Sequence, residues 1–305
     1  MGKTAFIIGM GQIGYAIARR LLSDGWRVSV AYRSANAAQD FAVAGVSVVS
    51  LDRDDRDALA SWLSSGADVL VDTVAFTQAH AQQLLTFQDA VGMLCVISSA
   101  SVYCDDQGRS LDEAGSTGFP QLPCPIAEDN RTVAPSDDTY STRKVAIEQT
   151  LLQRSGVPVT IVRPCAVYGI KSRHPREWWL VKRFLDGRRV VPLAFRGQSR
   201  FHTSATENIA EVIRTAVETR FNGVLNAADP QSLSVREIAN VVSSALSWGC
   251  VPNCPNARDN NRNVPFMRDC QRVFVSVAAV TLTAIRKLVC AQQSQHGCDS
   301  AGMAA

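Results

Sequence analysis

Tyr140 and Lys144 stand four residues apart in the segment Tyr140-Ser141-Thr142-Arg143-Lys144, a spacing that puts both side chains on one face of a helix. A phenol with a reference pKa of about 10 is a poor base at neutral pH, but a nearby ammonium favours its ionised form. The pair is therefore suited to moving a proton at an oxygen. Upstream, Ile97-Ser98-Ser99-Ala100-Ser101-Val102-Tyr103 ends an apolar run in hydroxyls, one of which can donate to the oxygen that the phenol serves. Y-x-x-x-K arises by chance in many helices, so its meaning depends on its company.

That company begins at Gly9-Met10-Gly11-Gln12-Ile13-Gly14. G-x-G-x-x-G between a first strand and a first helix is the context in which the motif signals a dinucleotide. Glycine permits the tight turn and lets backbone approach a pyrophosphate, while the helix amino terminus faces the negative charge. An ordinary glycine turn is the plainer alternative. At the end of the second strand, Ala31-Tyr32-Arg33-Ser34 has no carboxylate to accept ribose hydroxyls. Arg33 beside a hydroxyl suits a 2′-phosphate, because guanidinium pairs bidentately with phosphate oxygens; otherwise it points to solvent. NADP is accordingly expected ahead of NAD. Asp52, just past the third strand, either meets the adenine edge or caps the next helix. With a nicotinamide in place, its positive ring adds to the stabilisation of phenolate at Tyr140, and Lys144 can also hold the nicotinamide ribose.

The elements that must position these residues alternate. Thr4–Ile8, Arg27–Tyr32, Val46–Leu51, Val69–Asp72, Met93–Ser98 and Val159–Val162 read as strands. Between them Ile13–Ser23, Ala35–Ala44, Arg56–Ser64, Ala79–Phe87 and Thr139–Gln153 carry apolar residues at helical spacing. The pattern predicts an α/β fold, a doubly wound parallel Rossmann-type sheet. Gly25, Gly45, Gly66 and Gly156 fall where helices should end. From Cys104 to Asp138 the periodicity vanishes among prolines, glycines and acids, which predicts a long loop, of a length that is usually functional or disordered. Later helices over Glu177–Asp186, Ile209–Glu218 and Val235–Ala245 and a strand at Gly223–Asn226 build a smaller lobe. The expected division is a nucleotide-binding core over 1–165, rejoined by 200–228, a substrate lobe over 166–199 and 229–250, and an atypical tail over 251–305.

In this order, the elements resemble the extended short-chain dehydrogenase/reductases, the family of nucleotide-sugar epimerases, dehydratases and related reductases. The matching pieces are Gly9–Gly14, Ser98–Tyr103, Tyr140 with Lys144, and Arg163-Pro164-Cys165-Ala166-Val167-Tyr168-Gly169, similar to the family's R-P-x-x-x-Y-G. The likeness spans roughly residues 4 to 246. It implies a Ser–Tyr–Lys triad of Ser99, Tyr140 and Lys144, with Ser101 as a neighbouring substrate contact. It also implies Pro164 beside the nicotinamide and Tyr168 toward the substrate; a strand stopped by proline is the simpler account of Arg163-Pro164. Family members often dimerise through the helices after the fourth and fifth strands, which implies a homodimer. Three departures mark a divergent member: Ile8 at the first position of G-x-x-G-x-x-G, Cys104 for the glycine after V-Y, and Ala205-Thr206-Glu207-Asn208 in place of H-V-x-D.

Length and composition fit an enzyme. The chain has 305 residues, 46% apolar and 19% charged, with a net charge of +3, which gives no case for nucleic acid or an anionic membrane. The partner expected is a small molecule. The short apolar run after Met1 is too short for a signal core or a spanning helix, so the protein reads as cytoplasmic, with its nine cysteines reduced. Arg173, His174, Arg176, Arg196, Arg200 and His202 make the second lobe basic, suited to a phosphate or carboxylate, with Arg200 the favoured contact. Trp178 and Trp179 could stack on a ring, although an adjacent pair on a helix more often places one in the core. His80 reads as structural. Cys250-x-x-x-Cys254 has no second pair, so no metal is expected. Five of the nine cysteines lie beyond position 249, in a tail whose apolar run Val273–Ile285 reads as part of a poorly packed terminus. A second class, a nucleotide-binding regulatory protein without catalysis, would be expected to lose Tyr140 or Lys144.

Overall fold

The computed structural model describes residues 2–33, 43–172, 175–200 and 202–245, with the backbone of 251–253. The strands are β1 Thr4–Ile8, β2 Arg27–Tyr32, β3 Ser47–Ser50, β4 Val69–Asp72, β5 Leu94–Ile97, β6 Val159–Pro164, β7 Ala166–Tyr168, β8 Val190–Pro192, β9 Thr203–Ala205, β10 Gly223–Ala227 and β11 Val251–Asn253. The helices are α1 Gln12–Ser23, α2 Arg56–Leu63, α3 Gln78–Leu85, a single turn α4 Ala114–Thr117, α5 Tyr140–Arg154, α6 Trp178–Leu185, α7 Thr206–Thr219 and α8 Val235–Ala245. Most of the helix expected over Ala35–Ala44 lies outside the described residues, as do Arg173, His174, Cys250, Cys254 and the run Val273–Ile285.

Seven parallel strands form the main sheet in the order β10-β6-β5-β4-β1-β2-β3. Every residue of β4, β5 and β6 is buried, as expected for parallel strands covered on both faces. One face packs Phe6, Ile8, Leu70, Val96 and Ile161 against Leu59 and Leu63 of α2, Ala81 and Leu84 of α3, and Ile147 and Leu151 of α5. Helix α1 packs against α7, where Arg20 pairs with Glu211 at 2.7 Å. The chain runs from β1 to β2 and β3, then crosses back to β4 on the other side of β1. At such a reversal the loops at the carboxyl ends separate and open a crevice, the place where open α/β sheets bind ligands.

The chain divides into two compact units, Met1–Cys165 with Ser204–Ala228, and Ala166–Thr203 with the residues from Asp229 onward. The second has its own core, in which Leu180, Val181 and Phe184 of α6 meet Val235, Ile238 and Val242 of α8. Two local expectations are corrected. The cap of α2 is Asp55, whose side chain accepts from Ala58 N at 3.0 Å, and not Asp52. Helix α5 ends at Ser155 in extended backbone, so Gly156 is not a left-handed stop; its amide donates to Gln88. Gly25, Gly45 and Gly66 do adopt positive φ.

Candidate active site

The turn from β1 into α1 needs its glycines for identifiable reasons. Gly9 has φ of +100°, and a Cβ there would stand 2.5 Å from Thr73 Oγ1. A Cβ on Gly14 would lie 1.9 Å from the Gly9 carbonyl oxygen, so the helix can sit this close only with hydrogen at that position. Gly11 is different: a Cβ built there meets nothing within 4 Å, so a side chain would occupy open space above the turn. Gly11 is also the N-cap of α1, no side chain caps that end, and no acid lies in the first turn. The orphan amides and the positive helix end are thus presented to whatever fills that space. Gln12 Oε1 is buried without a partner, and Ile13 is half-buried beside it. The cradle fits the pyrophosphate of a dinucleotide. Arg33 is exposed at the end of β2, and Asp52 is exposed past β3, with its side chain accepting from Asp54 N at 3.1 Å.

At the end of β4, fully buried Asp72 organises the next segment. Its Oδ1 accepts from Val74 N and Ala75 N, each at 2.8 Å, and its Oδ2 accepts from Arg53 at 2.6 Å. The bend presents the Ala75 carbonyl to Lys144, whose Nζ donates to Ala75 O at 2.7 Å and to Ile97 O, at the end of β5, at 2.9 Å. A lysine has three donors, so one hydrogen remains. Burial pushes Lys144 down to about 8, against the opposing pull of Asp72 and Glu148.

Helix α5 starts where it does because Thr139 and Thr142 cap each other, Thr142 N donating to Thr139 Oγ1 and Thr139 N to Thr142 Oγ1. Tyr140 is thereby the first helical residue, Lys144 lies one turn on, and Ser141 N donates to Asp112 at 2.7 Å. The Tyr140 side chain is 41% exposed, leans on Phe76 at 5.8 Å between ring centroids, and carries its hydroxyl toward the Ser99 hydroxyl. Partial desolvation raises the phenol's pKa, the neighbouring Ser99 hydroxyl lowers it, and Asp112 raises it. The Lys144 ammonium lies 5.7 Å from the Tyr140 ring centroid, but desolvation, not the ammonium, is the largest influence on the phenol.

Ser98 is buried, whereas Ser101 is half-buried like Ser99. Ser98 donates to Glu148, which pairs with Arg163 at 2.5 Å. Arg163 also donates to Tyr103 Oη at 2.9 Å, and Tyr103 donates to Asn226 at 2.7 Å. This buried network ties the ends of β5, β6 and β10 to α5. The Cys104–Asp138 segment joins it through the Glu128 carbonyl, which accepts from Arg163, and through Asn226 N, which donates to Glu128 Oε1. Pro164 follows Arg163 as the last residue of β6. Ser101 Oγ is 2.9 Å from Ser99 Oγ and accepts from Ser141 Oγ at 2.9 Å.

Ser99, Ser101, Tyr140, Lys144 and the glycine turn all belong to the first unit; Tyr168 and Arg200 belong to the second. Tyr168 is 5% exposed, which makes it a core residue of β7. The Arg200 side chain is 65% exposed, and its Nη1 donates to Ser232 O at 2.5 Å. Trp179 packs on the second unit's core under Arg183, while Trp178 is exposed. His80 accepts from Phe76 N at 2.9 Å and lies 3.2 Å from Asp54, which are structural contacts. Sequence spacing missed Asp72, Asp112, Ser141 and Glu148. Glu148 alone left a local signal, a carboxylate one turn beyond Lys144 on the same helical face.

A glycine turn at the reversal point of a parallel sheet, with a phenol, a hydroxyl and a lysine at the ends of neighbouring elements, places the chain in the Rossmann-type class. The model of the NAD dependent epimerase/dehydratase family matches residues 5–228, and the chain belongs to that family. Among solved structures, it is similar to WbmH of Bordetella bronchiseptica in complex with NAD+, at 18% identity and TM-score 0.65, covering 84% of this chain and 86% of that one. WbmG of the same organism, in complex with NAD, is 22% identical with TM-score 0.64, covering 93% and 91%. A variant UDP-glucuronic acid 4-epimerase from Bacillus cereus, in complex with a fluorinated UDP-sugar and NAD, is 16% identical with TM-score 0.62, covering 82% and 85%. No curated protein matches. Among the described residues, no helix is long and apolar enough to cross a membrane.

Proposed function

We propose that the protein oxidises and re-reduces a carbinol carbon of a nucleotide sugar, with Tyr140 as the proton acceptor and donor, Ser99 as the hydrogen-bond donor to the reacting oxygen, and Lys144 as the cofactor-ribose contact. The observation that carries this reading is the convergence of the Tyr140 hydroxyl on Ser99, beside a lysine anchored by two carbonyls with one hydrogen left to donate. When bound, the nicotinamide takes up hydride and gives it back. Tyr140 takes the hydroxyl proton as the carbonyl forms and returns it when the carbinol is restored. The open space over Gly11 and the uncapped amides of α1 would receive the pyrophosphate, and Pro164, at the end of β6, would contribute to the nicotinamide side of the site.

The substrate class is supported by the UDP-sugar bound to the Bacillus cereus relative and by the exposed arginines of the second unit, with Arg200 reaching a diphosphate. NADP in place of NAD is supported by Arg33 alone; the relatives hold NAD. A homodimer through α3 and α5 is part of the same reading. The test is turnover of a panel of UDP-hexoses and UDP-hexuronic acids by the NAD- and NADP-loaded protein, read by product chromatography. Conversion with no net cofactor consumption is expected, and Tyr140→Phe should slow it by about 100-fold or more. Undiminished turnover in that variant would remove Tyr140 from the mechanism.

A further inference from the structure

The three serines beside Tyr140 are arranged in sequence. Ser141 is fully buried on the first turn of α5, and its amide is already committed to Asp112. Its Oγ donates to Ser101 Oγ at 2.9 Å. Ser101 Oγ lies 2.9 Å from Ser99 Oγ, and Ser101 N also donates to Ser99 Oγ at 3.1 Å. A hydroxyl has one hydrogen and two acceptor positions. Either hydroxyl of the Ser99–Ser101 contact can donate, but Ser101 already receives a hydrogen from Ser141, which leaves its own hydrogen available for Ser99. With that direction Ser99 has both acceptor positions filled, and its single hydrogen is left for Tyr140 and the open side of the site.

We propose that Ser141 and Ser101 are positioning residues, a one-way hydroxyl chain that fixes Ser99 as a donor to the Tyr140 oxygen and to the reacting substrate oxygen. The assignment rests on the catalytic reading of Tyr140 and Ser99 given above. It replaces the expectation that Ser101 touches substrate. It also gives a task to Ser141, a polar residue in a fully buried position that no substrate group needs to reach. With the opposite polarity, Ser99 would donate to Ser101 and present only lone pairs to the site, and a carbonyl oxygen would find no donor there.

The chain can be tested without any substrate. Phenolate absorbance of the cofactor-free protein is followed against pH, and the contribution of Tyr140 is isolated by subtracting the Tyr140→Phe protein. A hydrogen bond donated by Ser99 stabilises the phenolate, so Ser141→Ala and Ser101→Ala should each move the ionisation of Tyr140 upward by about half a pH unit to one unit. Ser101→Thr, which keeps the hydroxyl, should restore the wild-type value. Should Ser141→Ala fold poorly, Ser141→Cys fills the site with a much weaker donor and should shift the titration the same way. Alanine variants that titrate as wild type, or a Ser99→Ala protein that does so, would overturn the chain. NAD titration of the wild-type protein is read separately: failure to bind would count against the catalytic reading and leave the hydroxyl chain standing.

Discussion

Lys144 illustrates how a single residue is prepared for its task. It is 5% exposed, its ammonium is held by the Ala75 and Ile97 carbonyls, and its pKa falls to about 8 from an ordinary 10.5. The charged form is thus disfavoured by folding. Below about pH 8 the folded protein carries that penalty in full. Between about 8 and 10.5 the folded state has released the proton while the unfolded chain still holds it, so stability from this site rises with pH. Thermal unfolding of Lys144→Met against wild type should therefore show the wild type gaining ground across that window. A difference that stays flat with pH would contradict the burial argument. Lysine with one hydrogen to spare also predicts that cofactor affinity of the wild type weakens as pH passes about 8.

Among the elements, α5 is held by more than packing. Glu148 is 3% exposed and Arg163 5%, and their pair connects the helix to β6 while Ser98 connects it to β5. Removing one partner leaves a buried charge unmatched, so Glu148→Ala should cost about 3–5 kcal/mol, read as a fall in denaturant midpoint, and Glu148→Gln should cost less. The strands and helices themselves were legible in sequence because local periodicity encodes them: β1 and β2 and the helices α1, α2 and α5 fall within a residue or so of their expected ranges. The site was half legible. Tyr140, Lys144 and Ser99 declare themselves by fixed short spacing and by the family likeness. Asp72, Asp112 and Ser141 do not, because their partners lie 19, 29 and 40 positions away and only the fold brings them together. Residues 104–138 looked like a structureless loop for the same reason; Asp105 alone organises much of it, accepting from Gln107 N, Arg109 N and Gln121 N.

For the molecule as a whole, the first unit holds the glycine turn, Ser99, Tyr140 and Lys144, and most of the stretch that matches the NAD dependent epimerase/dehydratase family. The second unit has a separate core and exposed arginines such as Arg200, the feature from which an anionic substrate is proposed. A near-neutral net charge of +3 leaves recognition to local clusters rather than to the overall field. The account as a whole depends on Tyr140 moving the proton when hydride leaves the substrate. The most direct measurement is the nicotinamide absorbance of the NAD-loaded protein in a single turnover with a UDP-sugar that the wild type converts. Rapid appearance of reduced nicotinamide in the wild type, slowed by about 100-fold or more in Tyr140→Phe with NAD affinity unchanged, is the predicted result; equal rates in the two proteins would contradict it.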